Sequence, residues 1–539
     1  MKFLNTLFSI VLFVGNLQAQ NQPKLVIGIV VDQMRMDYLY QYESLYGEHG
    51  FKKLQTEGSA FYDCKFDYFP TYTAPGHAAV YTGAPPSISG IVANTWYDRQ
   101  QKKSVYCTSD ERQITLGGTL KSGQHSPHNL LCTTLADELK ISSRGQGRIV
   151  SIALKDRSAI MPAGHTADAA YWFDDPTGNF VTNQFYMEQL PEWVTRFNEQ
   201  ERAEEYMKRT WELYLEPEAY EGLAAPDNSP GEGLLPGAEE PVFPYHLPTL
   251  RQKGGVRVVK TTPYGNRLTT DFAIGALQEE KLGLGTHTDM LLISYSSPDY
   301  IGHLFGPHSL EIADNYARLD REIERLLTFV ELTYGKDNVL VFLTADHGAA
   351  QAPAWMASLG IPSRTFDYPL IDTLKAALQT RYQLDLVEHF TNSQVYLNHD
   401  AIKKAGLDLC EVQEFTARWL ILQEGVATAA TGCDLRRNGY SDPVLARLKA
   451  GYYPKRSGDV IIVTDPGVID MDWSRNGTTH GTVYTFDTQV PLLFWGFRVP
   501  QGYQSVEPVN ITDVAPTVAR LMRIGQPTGC IGRILLSGE

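Results

Sequence analysis

Four stretches of the chain are apolar at nearly every position: residues 24–31 (KLVIGIVV), 148–154 (RIVSIAL), 289–294 (DMLLIS) and 338–344 (NVLVFLT). Runs of this length, rich in β-branched residues, fit strands buried on both faces, as in a parallel sheet. Between the last two, residues 313–332 bring apolar and charged side chains round with helical period, which predicts a long amphipathic helix. The strand, helix and strand together predict a right-handed βαβ unit. Residues 46–58 predict a shorter helix stopped by Gly58. The order is that of an α/β fold, a three-layer core with a mostly parallel central sheet. Such sheets bind ligands beyond the carboxyl ends of their strands.

Two stretches interrupt the pattern. Residues 192–263 are rich in Glu, Trp, Tyr and Pro and include the loop 226–241 (PDNSPGEGLLPGAEEP). Residues 352–472 carry helix and strand patterns of their own. Strands of the same kind resume after each, so both read as insertions into one core, expected to form a cap over the strand ends. The 539 residues allow about three domains by length. The pattern reduces that to a single domain over residues 20–539.

The first 19 residues are set apart. Lys2, an apolar run over residues 7–14 and a small-residue zone ending at Ala19 form a secretory signal, with cleavage expected after Ala19. The run is shorter than the ~20 residues a membrane span needs. The mature protein is therefore expected in the periplasm or outside the cell. Six cysteines suit an oxidising compartment, and Cys410 with Cys433 is a reasonable local pair. No cysteine lies in a CxxC pair, so a thiolate zinc site is not expected. Net charge is −15, from 47 Lys and Arg against 62 Asp and Glu, which argues against a nucleic-acid or anionic-membrane partner. The expected assembly is a monomer.

The chemistry lies just past the strand ends. One strand runs into Asp32, another into Ser296-Ser297-Pro298-Asp299 with His303 after it, and a third into Asp346-His347; His480 follows late in the chain. Taken singly, each Asp reads as a helix N-cap and each His as an ordinary surface or core residue. Together, three Asp and three His supply N/O ligands for two zinc ions, three apiece with an open position. Two such ions clamp the attacking and leaving oxygens of an in-line displacement. In FPTYTAPGHAAVYTG (residues 69–83), Pro75 suits a first helical turn and Gly83 a helix stop. That places Thr73 just before a helix, where free N–H groups favour an oxyanion or a phosphate, unless Thr73 is a plain N-cap. His77 reads as structural, and Asn94 as a turn residue or a ligand to substrate.

The Asp32 strand end, FPTYTAPGHAAVYTG, SPDYIGH, TADHG and THG, in that order, resemble the alkaline phosphatase superfamily over nearly the whole mature chain. The segment SIALKDRSAIMPAGH (residues 151–165) is most similar to the phosphate-irrepressible alkaline phosphatases of the PafA type. The resemblance implies that Asp299, His303 and His480 hold the first zinc. Asp32, Asp346 and His347 hold the second, which also binds Thr73. Asn94, Lys155 and Arg157 then contact phosphoryl oxygens. The implied reaction is hydrolysis of small phosphate monoesters through a covalent phosphothreonine. Two zinc ions, three carboxylates and an alkoxide sum to about zero, so Lys155 and Arg157 add roughly +2, which suits a monoester dianion. Two alternatives stay open: a nucleotide pyrophosphatase or phosphodiesterase of the same superfamily, and a non-catalytic zinc- or ligand-binding relative. A sulfatase is disfavoured, because TAPGH lacks the Arg of the C/S-x-P-x-R motif.

Overall fold

The strand β1 (Leu25–Val31) is buried at every position, as its unbroken apolar run requires, and it lies in the middle of an 11-stranded sheet. The computed structural model describes residues 22–437, 439–471 and 476–538. The expected signal segment, residues 1–19, lies outside them. The other long strands are β2 (Ser59–Lys65), β3 (Ile149–Ala153), β4 (Ala169–Phe173), β5 (Phe180–Asn183), β6 (Asp289–Tyr295), β7 (Val339–Thr344) and β8 (Gln489–Gly496). Their order across the sheet is β2-β8-β7-β1-β6-β3-β4-β5, with short strands at either edge. The five from β7 to β4 are parallel; β8 runs antiparallel to both β7 and β2, and β5 antiparallel to β4.

Register decides what this sheet can do. Val31 pairs with Tyr295, Val30 with Thr344, and Ser294 with Ala153. Parallel strands in register end at one edge, so the segments after β1, β3, β6 and β7 open side by side.

Among the helices are α1 (Thr73–Thr82), α2 (Asp156–Ala163), α3 (Tyr264–Glu279), α4 (Ser297–Phe305) and α5 (Leu310–Tyr334). The predicted long helix is α5, begun earlier than its periodicity shows because the Ser309 side chain accepts the Ile312 N–H as an N-cap. It links β6 to β7, but the two strands are not neighbours: β1 lies between them. The predicted helix over residues 46–58 is helical only at Phe51–Thr56. Asp320 of α5 takes the N–H groups of Gly47 and Phe51, each at 2.8 Å, and this capping from outside starts the helix late. Glu57, not Gly58, is its C-cap.

The first insertion packs into the main core: the Trp211 indole is buried and donates to Asp314 of α5 at 2.7 Å. The second has its own apolar cluster around Leu374, Leu378, Val412, Leu420 and Ile462. It holds a separate four-stranded sheet, and a Cys410–Cys433 disulfide joins two of its elements. It reaches the core at Phe69, which packs with Leu448 and Tyr452 just ahead of α1.

Candidate active site

α1 is buried along its whole length, and Gly83 ends it in the left-handed conformation at φ 64°. Tyr72 is its N-cap and Thr73 its first residue, one position further in than expected. The Thr73 hydroxyl is therefore not spent on capping; Oγ1 lies 3.4 Å from His347 Nε2. The expectation of free N–H groups here is narrowed, since neither Ala74 nor Pro75 offers one. Asn94 Oδ1 accepts the Ala74 N–H at 2.8 Å, Pro75 has none, and the Gly76 N–H goes to the Tyr72 carbonyl at 2.9 Å. Asn94 thus fixes the start of α1 and keeps its amide N–H donors for another partner. Gly76 allows the close approach to β7's end, because a Cβ there would stand 2.2 Å from the Asp346 carbonyl.

The three histidines are oriented alike. His303 Nδ1 donates to the Thr478 carbonyl at 2.8 Å, His480 Nδ1 to that of Thr71 at 2.7 Å, and His347 Nδ1 to that of Gly348 at 2.9 Å. A carbonyl only accepts, so each ring keeps its proton on Nδ1 and turns an Nε2 lone pair inward. His303 Nε2 faces Asp299 Oδ1 at 3.1 Å and His480 Nε2 the same oxygen at 3.7 Å. His347 Nε2 faces Asp346 Oδ2 at 3.4 Å and Asp32 Oδ1 at 3.6 Å. Two metal-competent groups result: Asp299 with His303 and His480, and Asp32 with Asp299 and His347. The first has the membership the resemblance implies. In the second Asp299 stands where Asp346 was expected, with Asp346 immediately beside it against His347.

This donor set fits zinc. Imidazole lone pairs facing carboxylate oxygens repel unless a cation lies between them, and Asp32 Oδ1 is buried and accepts no hydrogen bond. Burial and the neighbouring Asp346 raise the Asp32 carboxyl well above its ordinary range. Burial opposes ionisation of Asp299 too, yet its carboxyl is held low, with the Lys155 cation among the groups that lower it. Burial above all pulls His480 well down, so its imidazole is neutral.

Lys155 follows β3 and is almost fully buried. Its Nζ lies 2.7 Å from Asp32 Oδ2 and 2.5 Å from Asp299 Oδ2, linking both groups. Burial works against its charge, and the two carboxylates more than restore it. Arg157, in the first turn of α2, donates to the Tyr106 hydroxyl at 3.1 Å. Lys155 and Arg157 share a cleft with Tyr300, Lys260, Asp175 and Trp172, of about 310 Å³. Gln33 was not singled out from the sequence, yet it ties the site together. Its N–H donates to Asp346 Oδ1 at 3.1 Å and its Nε2 to Asp299 Oδ1 at 2.9 Å. Its position directly after Asp32 was the available signal. His77 is buried, with Nδ1 donating to the Thr73 carbonyl at 2.9 Å and lying 3.3 Å from Asp346 Oδ2.

Residues 26–483 match the model of the type I phosphodiesterase / nucleotide pyrophosphatase family. The chain belongs to that family. Within it the chain falls with the PafA-type alkaline phosphatases. It is 39% identical to alkaline phosphatase PafA of Elizabethkingia meningoseptica, over 95% of this chain and 94% of that one. It is 38% identical to alkaline phosphatase PhoV of Synechococcus elongatus, over 96% and 93%. A crystal structure of wild-type PafA superposes with a TM-score of 0.91 at 39% identity, covering 95% of this chain and 98% of that one. Among the described residues no helix is long and apolar enough to cross a membrane.

Proposed function

We propose that this protein is a zinc-dependent alkaline phosphatase that hydrolyses small phosphate monoesters through a covalent phosphothreonine at Thr73. The observation that carries the reading is the Thr73 hydroxyl, unspent on capping and 3.4 Å from His347 Nε2 beside two metal-competent groups. Asp299, His303 and His480 would hold one zinc, and Asp32, Asp346 and His347 the other. When bound, the two ions lower the pKa of a hydroxyl and offset charge on a leaving oxygen.

The chain's own residues do the rest. Asn94 and the α1 backbone fix Thr73, whose Oγ1 attacks phosphorus in line as the P–O bond to the alcohol breaks. Water then attacks phosphorus in line from the side the alcohol left, breaking the P–O bond to Thr73, so the two inversions retain configuration at phosphorus. Lys155, Arg157 and the Asn94 amide hold the non-bridging oxygens through both steps. The net −15 is a balance over the whole chain; the cleft beside Lys155 and Arg157 adds Lys260, set against Asp156 and Asp175. Export to the periplasm or beyond is supported by the N-terminal signal pattern and by the Cys410–Cys433 disulfide.

The family's description favours a second reading, a nucleotide pyrophosphatase or phosphodiesterase. Lys155 and Arg157 separate the two, because a diester monoanion gains less from two cations than a monoester dianion. In the Lys155→Ala/Arg157→Ala double variant, kcat/KM for an aryl monoester is expected to fall by about 10³-fold or more, and for an aryl diester by about 10-fold or less. Equal losses on both esters would favour the diesterase.

A further inference from the structure

The first insertion places one cation at the edge of the phosphate site. Lys260 lies in a short helical turn, Val256–Thr261, near the insertion's end, and only 12% of its side chain is exposed. Its Nζ lies 4.8 Å from the centroid of the Tyr300 ring, and the Nζ of Lys155 lies 5.2 Å from the same centroid. Tyr300 directly follows Asp299, so the two ammonium groups lean on one ring beside the metal-competent groups. Both line one cleft with Arg157, within reach of a single small ester.

The two cations differ in what holds them. Lys155 is fixed between Asp32 and Asp299, both buried. Lys260 Nζ lies 2.6 Å from Asp175 Oδ1, and the Asp175 side chain is 43% exposed. The Tyr300 hydroxyl accepts from the same Nζ at 3.4 Å. Asp156, also in the cleft, is taken up by the Tyr106 and Thr108 hydroxyls at 2.9 and 2.8 Å. Burial works against the Lys260 charge, yet its pKa is held above the ordinary value, with Tyr300 and Asp175 among the groups that raise it. Lys260 is thus a charged, largely buried group whose carboxylate partner stands nearly half in water.

We propose that Lys260 is a second anion subsite, at which a carboxylate on the alcohol part of the substrate takes the place of Asp175. The proposal rests on the phosphatase reading above and names its favoured substrate class, phosphate monoesters of hydroxy acids. The exchange trades one carboxylate for another, so the charge of the cleft is unchanged and Lys260 keeps an ion partner. Asp175 leaves at little cost, because a carboxylate so exposed is readily hydrated and its ion pair is weak. A second phosphate would bring close to two negative charges to one ammonium group, whereas a carboxylate matches it one to one.

The test is kcat/KM for meta-(carboxymethyl)phenyl phosphate over kcat/KM for its neutral amide, meta-(carbamoylmethyl)phenyl phosphate, on zinc-loaded enzyme. The two esters share a shape and have nearly equal leaving groups, so the ratio reads the charge at the far end. In the wild type the acid should be favoured by about 5-fold or more. Lys260→Met, which fills the space of the stem and removes the charge, should bring the ratio below one, because Asp175 then repels the acid. Asp175→Asn should raise the ratio by about 5-fold, because Lys260 loses its internal competitor. An ion pair that only braces the insertion would leave the ratio unmoved in both. Asp175 is well exposed, so its variant carries the test if Lys260→Met does not fold. The absolute rate on the neutral amide reads the phosphatase proposal and the ratio reads the subsite, so either can fail alone. A wild-type ratio of one or less, or a ratio that neither substitution changes, would overturn the subsite.

Discussion

Replacing Thr73 with alanine is expected to lower kcat/KM for a phosphate monoester by about 10⁴-fold or more while leaving zinc content near that of the wild type. The two outcomes separate because the hydroxyl and the ligands come from different elements. Thr73 Oγ1 is carried by the first turn of α1, whereas the ligand atoms are carried by the segments after β1, β6 and β7 and by His480. Alanine suits a helix and creates only a small gap, so α1 should stay in place. Thr73→Ser, which keeps the hydroxyl, should retain most of the activity. Metal analysis beside steady-state kinetics reads both results. A Thr73→Ala protein with substantial turnover would mean that water attacks phosphorus directly.

Asp299→Asn is expected to be nearly as damaging by a different route. Asp299 belongs to both metal-competent groups and faces His303 and His480 through one oxygen and Lys155 through the other. The amide keeps the shape but loses the charge, so at least one zinc should be lost from purified protein. Activity should fall by about 10³-fold, in line with removal of a principal electrostatic element. In metal-free protein, breaking the buried Asp299–Lys155 pair costs on the order of 3–5 kcal/mol, because Lys155 is left with Asp32 alone. Zinc analysis and thermal unfolding of the metal-free form check the two parts separately. Full zinc occupancy in Asp299→Asn would remove Asp299 from the ligand set.

Much of this was readable before the fold was known, for a physical reason. Strands buried on both faces are continuous apolar runs, and the residue after such a run lies at the sheet's carboxyl edge. Asp32, Lys155, Asp299 and Asp346 announce themselves in that way. His480 does not, since it lies on a loop well before β8 begins, and only its place in a recognisable motif singled it out.

What stayed hidden depends on partners far along the chain. Gln33 reaches Asp299 across 266 positions, and Asp320 truncates the 46–58 helix by taking the Phe51 N–H from 269 positions away. The place of β1 between β6 and β7 is a choice of pairing that neither strand's own pattern encodes. The capture of the Ala74 N–H by Asn94 is of the same kind: a side chain took a donor that local sequence left for a ligand.

The central claim, that this pocket is built for a phosphate monoester dianion, is tested most directly by one ratio on a single zinc-loaded wild-type preparation. It is kcat/KM for an aryl phosphate monoester over kcat/KM for the corresponding aryl methyl diester. Two charge-assisted contacts, at about 1.5–3 kcal/mol each, predict a monoester preference of roughly 10²-fold or more. A ratio near one, or a preference for the diester, would contradict it.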